Sequence, residues 1–452
     1  GPQTKLILAE RQAASCLHGH LEQMSGADVP IVNEADLGKT RVEEGRLVHG
    51  LAEVKSRSYI VLGEGAVARQ LGVTTRGLKP GGIRIKTISN ALVIVGHPRT
   101  VHPHNDAGGI RRAVAVLLER LGCRYLWPGE TGKVVPERPD ISVGSIDLTY
   151  NPPIGQRRIR TMVMTDRPLT GLKRLRLTKE EWGEAAGGAR HTVAADLAPD
   201  VRHVGGGDLA WLQWHGLGGS LGIGGGHAGC GLEGGWEKWG DTHPEWFALQ
   251  PDGTRDQGEA GHRWRLCVSN PDLVDRVAAD IIAKLDKTAD ARECFSLSPN
   301  DGGSSNFCMC DRCRALDPPD APPVKMLVFE RVGQSRRRTI DYVSLADRYV
   351  HYWNAVAEKV TAKYPHALFS IDAYSYYSDP PVREKLHPNL VLRYVPENTD
   401  AWTGWRKAGA KKIFWRPNIL LAGRRDGELH VMVERLSRLM NFFAQNGMLA
   451  TD

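Results

Sequence analysis

At 452 residues the chain exceeds what one ordinary hydrophobic core organises, so two or three domains are expected. Charged residues at 25% and apolar residues at 41% describe a water-soluble globular protein, and no run approaches the roughly 18–20 apolar residues of a membrane span. The net charge of +7 favours anionic partners, but no basic stripe interleaved with aromatics and no nucleic-acid motif is present, so nucleic acid is not the expected partner.

Residues 1–150 carry a self-contained α/β pattern. Residues 5–8 read as a short strand, and residues 10–24 as an amphipathic helix ending near Ser25-Gly26. Strands are expected at 59–62 (YIVL) and 91–95 (ALVIV), with 82–86 as a partner of the latter. A helix opens at Gly108-Gly109, its apolar positions Ile110, Val114, Leu117, Leu118 and Leu121 falling on one face, and Gly122 stops it. The Gly63-Glu64-Gly65 turn lacks the G-x-G-x-x-G of a dinucleotide fingerprint. No strand of this half ends on a catalytic group, so a small structural α/β sandwich is expected.

The second domain, 151–452, begins around Pro152-Pro153. Strands are predicted at 157–164, 209–214, 264–268, 295–298, 367–373, 390–395, 412–415 and 447–451. Helices are predicted from a cap at Asn270 with Pro271 first in the helix, at 342–364 and at 428–445. Strands alternating with helices argue for a (β/α)8 TIM-like barrel lacking its last helix, with an open α/β sheet as the alternative. A glycine-rich loop over 216–235 encloses His227 and Cys230, and without a Gly-Lys-Ser/Thr ending it is no phosphate loop. It reads either as a surface connection or as the rim of a site.

The run GGIRRAVAVLLERLGCRYLWPGETGKVVP, residues 108–136, resembles the amino-terminal domain that precedes the catalytic barrel of bacterial α-glucuronidases and β-hexosaminidases. More narrowly, with SPNDGG and NFCMCDRCRALD at 298–303 and 306–317, the chain is similar to a large uncharacterised bacterial family that carries this domain before a domain of unknown function. The resemblance implies a carbohydrate-active enzyme and supplies no substrate.

In a parallel barrel, chemistry gathers where strands end. Those ends offer Asp166, Trp214, His215, Asn270, Asn300, Asp301, Asp372, Tyr374, Tyr394, Glu397, Trp415, Arg416, Asn418 and Asp452. Aromatic faces stack on sugar rings, amides and carboxylates bind hydroxyls, and Arg grips a uronate or sulfate. Trp214, His215, His227, Asn300, Tyr374, Tyr394, Trp415 and Arg416 are therefore the expected substrate contacts. Glycoside hydrolysis typically needs two carboxyl groups. Asp301, on a Gly-Gly turn after the fourth strand, is the candidate acid, and related hydrolase barrels place theirs at that strand end. Glu397 is the first candidate for the second carboxylate and Asp372 the next. Asn300-Asp301-Gly302 also suits a plain tight turn.

The expectation is thus a glycoside hydrolase acting on an anionic glycan, with no cofactor needed for catalysis. A non-catalytic carbohydrate-binding protein is one alternative, and a polysaccharide lyase using Tyr374 or His227 is another. Among eight cysteines, Cys16, Cys123, Cys267 and Cys294 read as buried free thiols. Cys308, Cys310 and Cys313 could give three ligands of a structural zinc with Cys230, His227 or a carboxylate as the fourth, or a disulfide, or free thiols. Secretion or a periplasmic location is expected. Gly1-Pro2 reads as a protease scar behind which a leader was lost, and 447–452 reads as a strand beyond which the native polymer continues.

Overall fold

The structure, a computed structural model, describes residues 2–34, 40–49, 58–97, 109–127, 130–157, 210–217, 223, 225–255, 264–288, 294–301, 306–330, 337–418 and 433–451. The chain divides into two compact units, Gly1–Ser220 and Leu221–Asp452, a division later than residue 150.

The first unit opens with one long helix, α1 (Pro2–Ser25). It absorbs residues 5–8, expected as a strand. No proline interrupts the path from there to the buried stripe Ala13, Leu17, Leu21 and Met24, so the helix propagates back through it. A hairpin, β1 (Thr40–Glu43) with β2 (Arg46–His49), follows. Then come β3 (Tyr59–Leu62), α2 (Ala66–Gln70), β4 (Ile83–Ile88), β5 (Ala91–Gly96), α3 (Gly109–Arg120), β6 (Arg124–Tyr125), β7 (Lys133–Val134), β8 (Asp147–Tyr150) and β9 (Gln156–Arg157). A four-stranded sheet runs β3-β5-β4-β8, parallel between β3 and β5 and antiparallel elsewhere.

Strand alternation splits β5 between two cores. Leu92 and Ile94 join α1 and α3 on one face, whereas Ala91, Val93 and Val95 meet Val67, Ala68 and Leu71 of the α2 region on the other. The helix face Ile110, Val114, Leu117, Leu118 and Leu121 is buried as its spacing predicts. Where β5 ends, a Cβ on Gly96 would fall on the backbone of Gly109 and Ile110, so this crossing of strand and helix requires glycine. Gly96→Ala is expected to destabilise the unit by about 1–3 kcal/mol, read as a lower urea midpoint at unchanged slope.

Two expected sugar contacts belong to this unit. Residues 210–214, predicted as a strand, are helical, with the His215 amide donating to the Trp211 carbonyl at 3.1 Å. Trp214 lies in the α1–α3 core, its ring 5.6 Å from His20 and 5.9 Å from Tyr125. The His215 Nε2 faces the Tyr125 carbonyl at 2.7 Å. Neither residue stands at a strand end. Both are packing groups of the first unit.

The second unit is built on a curled, parallel half-barrel sheet. Its strands β10 (Cys294–Ser296), β13 (Leu368–Ala373), β14 (Leu390–Tyr394), β15 (Ile413–Trp415) and β16 (Met448–Thr451) lie in that order, every pairing parallel. These are the fourth to eighth strands read from sequence. A closed eight-stranded barrel is not formed among the described residues. Residues 264–268 contribute only an isolated bridge, Phe247 with Leu266, and most of 157–164 lies outside the described residues.

Helices α4 (Gly235–Trp239), α5 (Pro271–Leu285), α6 (Asp311–Ala315), α7 (Ala346–Thr361), α8 (Thr399–Lys407) and α9 (Val433–Gln445) complete the unit. The Asn270 side chain caps α5 as predicted, accepting from the Asp272 amide at 2.9 Å. The helix expected over 342–364 starts later. Its first residues finish an antiparallel hairpin, β11 (Pro323–Phe329) with β12 (Arg337–Val343), whose alternating pattern pairs Lys325 across the strands with Asp341.

The helix-facing side of the sheet is aromatic. Tyr394 and Trp415, expected to stack on sugar, are fully buried there against Trp402 of α8 and Phe443 of α9. The Tyr394 hydroxyl donates to the Asn398 carbonyl at 2.5 Å, and the Trp415 indole N–H to the Pro396 carbonyl at 3.2 Å. They hold helices to the sheet, which corrects the expectation that they meet substrate. The opposite face carries Leu368, Val391, Phe414 and Ala450 in one small cluster. By alternation, Asp372 and Arg393 belong to that same face, nearer the carboxyl ends of their strands.

Candidate functional site

Past β10 the backbone runs through Leu297 to Asp301, held by neighbours on both sides. The Trp353 indole N–H donates to the Leu297 carbonyl at 2.9 Å. The Ala228 and Cys230 amides both donate to the Ser298 carbonyl, at 3.1 and 3.0 Å. Cys230 reaches this geometry at φ 54°, in the left-handed region, flanked by Gly229 and Gly231 at positive φ. The described part of the glycine-rich loop therefore sits as a rim on the end of β10.

That rim delivers His227. Its Nδ1 lies 3.0 Å from the Pro299 carbonyl oxygen, which can only accept, so Nδ1 carries the hydrogen. Nε2 is left facing Asp301 Oδ1 at 3.6 Å. At that separation the two groups are neighbours and not a hydrogen-bonded pair. The Asp301 side chain remains 57% exposed, open to a ligand. The His227 ring centroid is 6.0 Å from that of Tyr374, which follows β13.

Asp372 and Arg393 face each other across β13 and β14, whose register places them side by side. Arg393 Nη1 lies 3.3 Å from Asp372 Oδ1, and both side chains are buried. Gly225 closes over the pair, because a Cβ there would strike the Arg393 guanidinium. Tyr374 senses the whole group. Burial raises its hydroxyl pKa above the ordinary phenol value, the Asp301 and Asp372 charges raise it further, and Arg416 opposes them. Arg416 follows β15 and donates to the Asn418 side chain at 3.1 Å.

Other expected site residues have structural partners. Glu397 pairs with Arg435 of α9 at 2.8 Å. The Asn300 side chain donates to the Trp264 carbonyl at 2.9 Å, and the Asn300 carbonyl accepts from Arg265, so this residue latches residues 264–265 to the end of β10. Asn270 is occupied as a helix cap. Asp166 and Asp452 lie outside the described residues.

The cysteine group gains its missing member. Sγ atoms of Cys267, Cys308, Cys310 and Cys313 all lie within 4.8 Å of one another, a set that could hold a metal ion. The fourth thiol is Cys267. It is neither Cys230, whose thiol burial pushes up to about 12, nor His227, which faces Asp301. No disulfide joins Cys267, Cys308, Cys310 and Cys313 in the structure. Hydrogen bonds from Cys308 and Cys313 hold the Cys267 thiol far below its ordinary pKa, while the same contact pushes Cys308 up to about 12.

Sequence reasoning missed Arg393 and Cys267. A lone arginine inside the apolar run LVLRYV was the available signal for the first. Cys267 stands 41 residues upstream of Cys308, and only folding brings them together.

Residues 227–411 match a family, DUF4838, described as a domain of unknown function. The matched span includes His227, Asp301, Asp372, Tyr374, Arg393, Glu397 and the four clustered cysteines, and stops short of Arg416. It agrees with the resemblance to an uncharacterised family read from residues 298–317. Among curated proteins, none matches the chain. No helix among the described residues is long and apolar enough to cross a membrane.

Proposed function

We propose that the protein is a glycoside hydrolase acting on an acidic glycan, one bearing uronic acid or sulfate. The observation that carries the reading is that Asp301, Asp372, Tyr374 and Arg416 all stand at or just past the carboxyl ends of strands of one parallel sheet. Two carboxylates, an aromatic hydroxyl and an arginine gathered at one sheet edge match what acidic-sugar hydrolysis requires.

In the proposed reaction Asp301 gives its proton to the glycosidic oxygen as the bond to the anomeric carbon breaks. His227, its Nδ1 fixed by the Pro299 carbonyl, exchanges a proton with Asp301 through Nε2. Asp372 is the second carboxylate, set beside Arg393, and it either attacks the anomeric carbon or takes a proton from the attacking water. It is preferred to Glu397 because it shares the end of β13 with Tyr374, whereas Glu397 faces Arg435 of α9. Arg416 grips the anionic substituent. Export to a periplasmic or extracellular space, where such polysaccharides are met, belongs to the same reading.

A second reading, a polysaccharide lyase, is favoured by the closeness of His227 to Tyr374, a base and a hydroxyl of the kind that removes a proton beside a uronate. The test for both is a screen of acidic and neutral glycans against the wild type and Asp301→Asn. Hydrolysis predicts sugar release that falls about 10²–10⁴-fold in the variant at unchanged folding. Release unaffected by the substitution removes Asp301 from the reaction, and an ultraviolet-absorbing unsaturated product assigns the lyase. Binding without release would leave a carbohydrate-binding protein.

A further inference from the structure

We propose that Cys267, Cys308, Cys310 and Cys313 bind one zinc ion as a closed tetrathiolate that ties together the two segments bearing these residues. The inference is independent of any reading of the sheet edge. It rests on how four sulfurs and their hydrogen-bond donors are arranged.

The first support is the spacing of the sulfurs. A tetrahedral zinc with bonds of about 2.3 Å sets its sulfurs about 3.8 Å apart. Cys267 Sγ lies 3.6 Å from Cys310 Sγ and 3.8 Å from Cys313 Sγ. The second support is the set of donors aimed at sulfur. The Leu249 amide points at Cys308 Sγ at 3.3 Å, the Cys313 amide at Cys310 Sγ at 3.4 Å, and the Ser269 hydroxyl lies 3.1 Å from Cys313 Sγ. Two sulfurs thus each receive an amide hydrogen bond and a third has a hydroxyl within reach, as a metal-bound thiolate needs to spread its charge. Ser269 also lies 3.6 Å from Cys267 Sγ, and Arg348 donates to the Cys308 carbonyl at 2.7 Å, setting a cation beside an anionic centre.

The third support is coordination. Four protein sulfurs complete the tetrahedron and leave no position for water or substrate, so the ion is structural. Cys267, Cys308 and Cys313 are buried and only Cys310 is partly exposed. On binding, a Zn–S bond forms to each of the four sulfurs, every thiol still protonated gives its proton to water, and no electron moves. The ligands come from two places, the turn before α5 and the start of α6. Cys267 lies two residues beyond Arg265, whose guanidinium donates to the Asn300 carbonyl.

The test is elemental analysis of the full-length chain purified without chelator from zinc-supplemented medium. One zinc per chain is expected, falling at least tenfold in Cys308→Ser and Cys313→Ser and unchanged in Cys294→Ser, which lies outside the group. Should the first two variants fail to fold, the wild-type chain is stripped of metal and titrated with cobalt(II). Saturation at one equivalent, with sulfur-to-cobalt charge-transfer bands and the visible bands of a tetrahedral ion, is the expected spectrum. Zinc below a tenth per chain together with no cobalt spectrum overturns the proposal. So do disulfides among the four cysteines, or iron in place of zinc at one per chain.

Discussion

Replacing Arg348 by Met is expected to lower the stability of the second unit by about 3–5 kcal/mol, among the largest losses any single substitution would cause. Arg348 and Asp317 are 1% and 2% exposed and face each other as a two-pronged pair, with Nε to Oδ1 at 2.8 Å. The Tyr342 hydroxyl donates to Asp317 at 2.9 Å, and Arg348 also holds the Cys308 carbonyl. Removing the guanidinium leaves the Asp317 charge out of water with a single hydroxyl donor. The double variant Arg348→Met, Asp317→Asn is expected to be less destabilised than Arg348→Met alone, since it buries no lone charge. Urea midpoints of the wild type, both singles and the double decide the matter. A loss under about 1 kcal/mol in Arg348→Met would show that the pair is wet or replaceable.

The second large effect concerns activity. On the proposed mechanism, Asp372→Ala lowers sugar release by roughly 10⁴–10⁶-fold, as removal of a group engaged in bond making does elsewhere. The substitution also strands Arg393 in the buried pair, so a fall in activity alone would not separate chemistry from folding. Added azide separates them. The small anion fits where the carboxylate was, beside the guanidinium, and can form the bond to the anomeric carbon in its place. Recovery of sugar release with formation of a glycosyl azide is expected of a catalytic carboxylate. A folded Asp372→Ala chain that azide leaves inactive, beside an active wild type, would return Asp372 to a structural role.

What the sequence disclosed, and what it hid, follows from the range of the forces involved. Strands β10, β13, β14, β15 and β16 were visible because each is a short apolar run bounded by breakers. The α5 cap was visible because Asn-Pro-Asp writes its geometry in three neighbouring residues. Residues 210–214 were misread because a short, mostly apolar run fits a strand and a buried helical turn equally well, and only the surrounding core decides. The hairpin β11–β12 was lost for a related reason, its last residues blending into the helical pattern of α7.

At the site, position was legible and direction was not. Asp301 and Asp372 were singled out by the logic of strand ends, and the structure has one just past β10 and the other in β13. Tyr394 and Trp415 occupy similar positions in sequence, yet alternation turns them toward the helices. One residue of phase separates a side chain that could meet a ligand from one that cannot. Long-range partners were beyond reach altogether. Cys267 had no local mark of a metal ligand, and Arg435 gave no sign that it would engage Glu397.

The aromatic layer on the helix side has a consequence for how the second unit opens. Among the described residues of α9, Phe443 is the one that is buried, and it touches Tyr394, Trp402 and Trp415 at once. The deepest fastening of that helix is therefore a single ring, set beside the Glu397–Arg435 pair, while the indoles beneath it are among the most deeply enclosed side chains described. Fraying need not begin in the parallel strands. It can begin with one phenyl group sliding out of its slot, a local opening that wets two tryptophans while the sheet behind them stays whole.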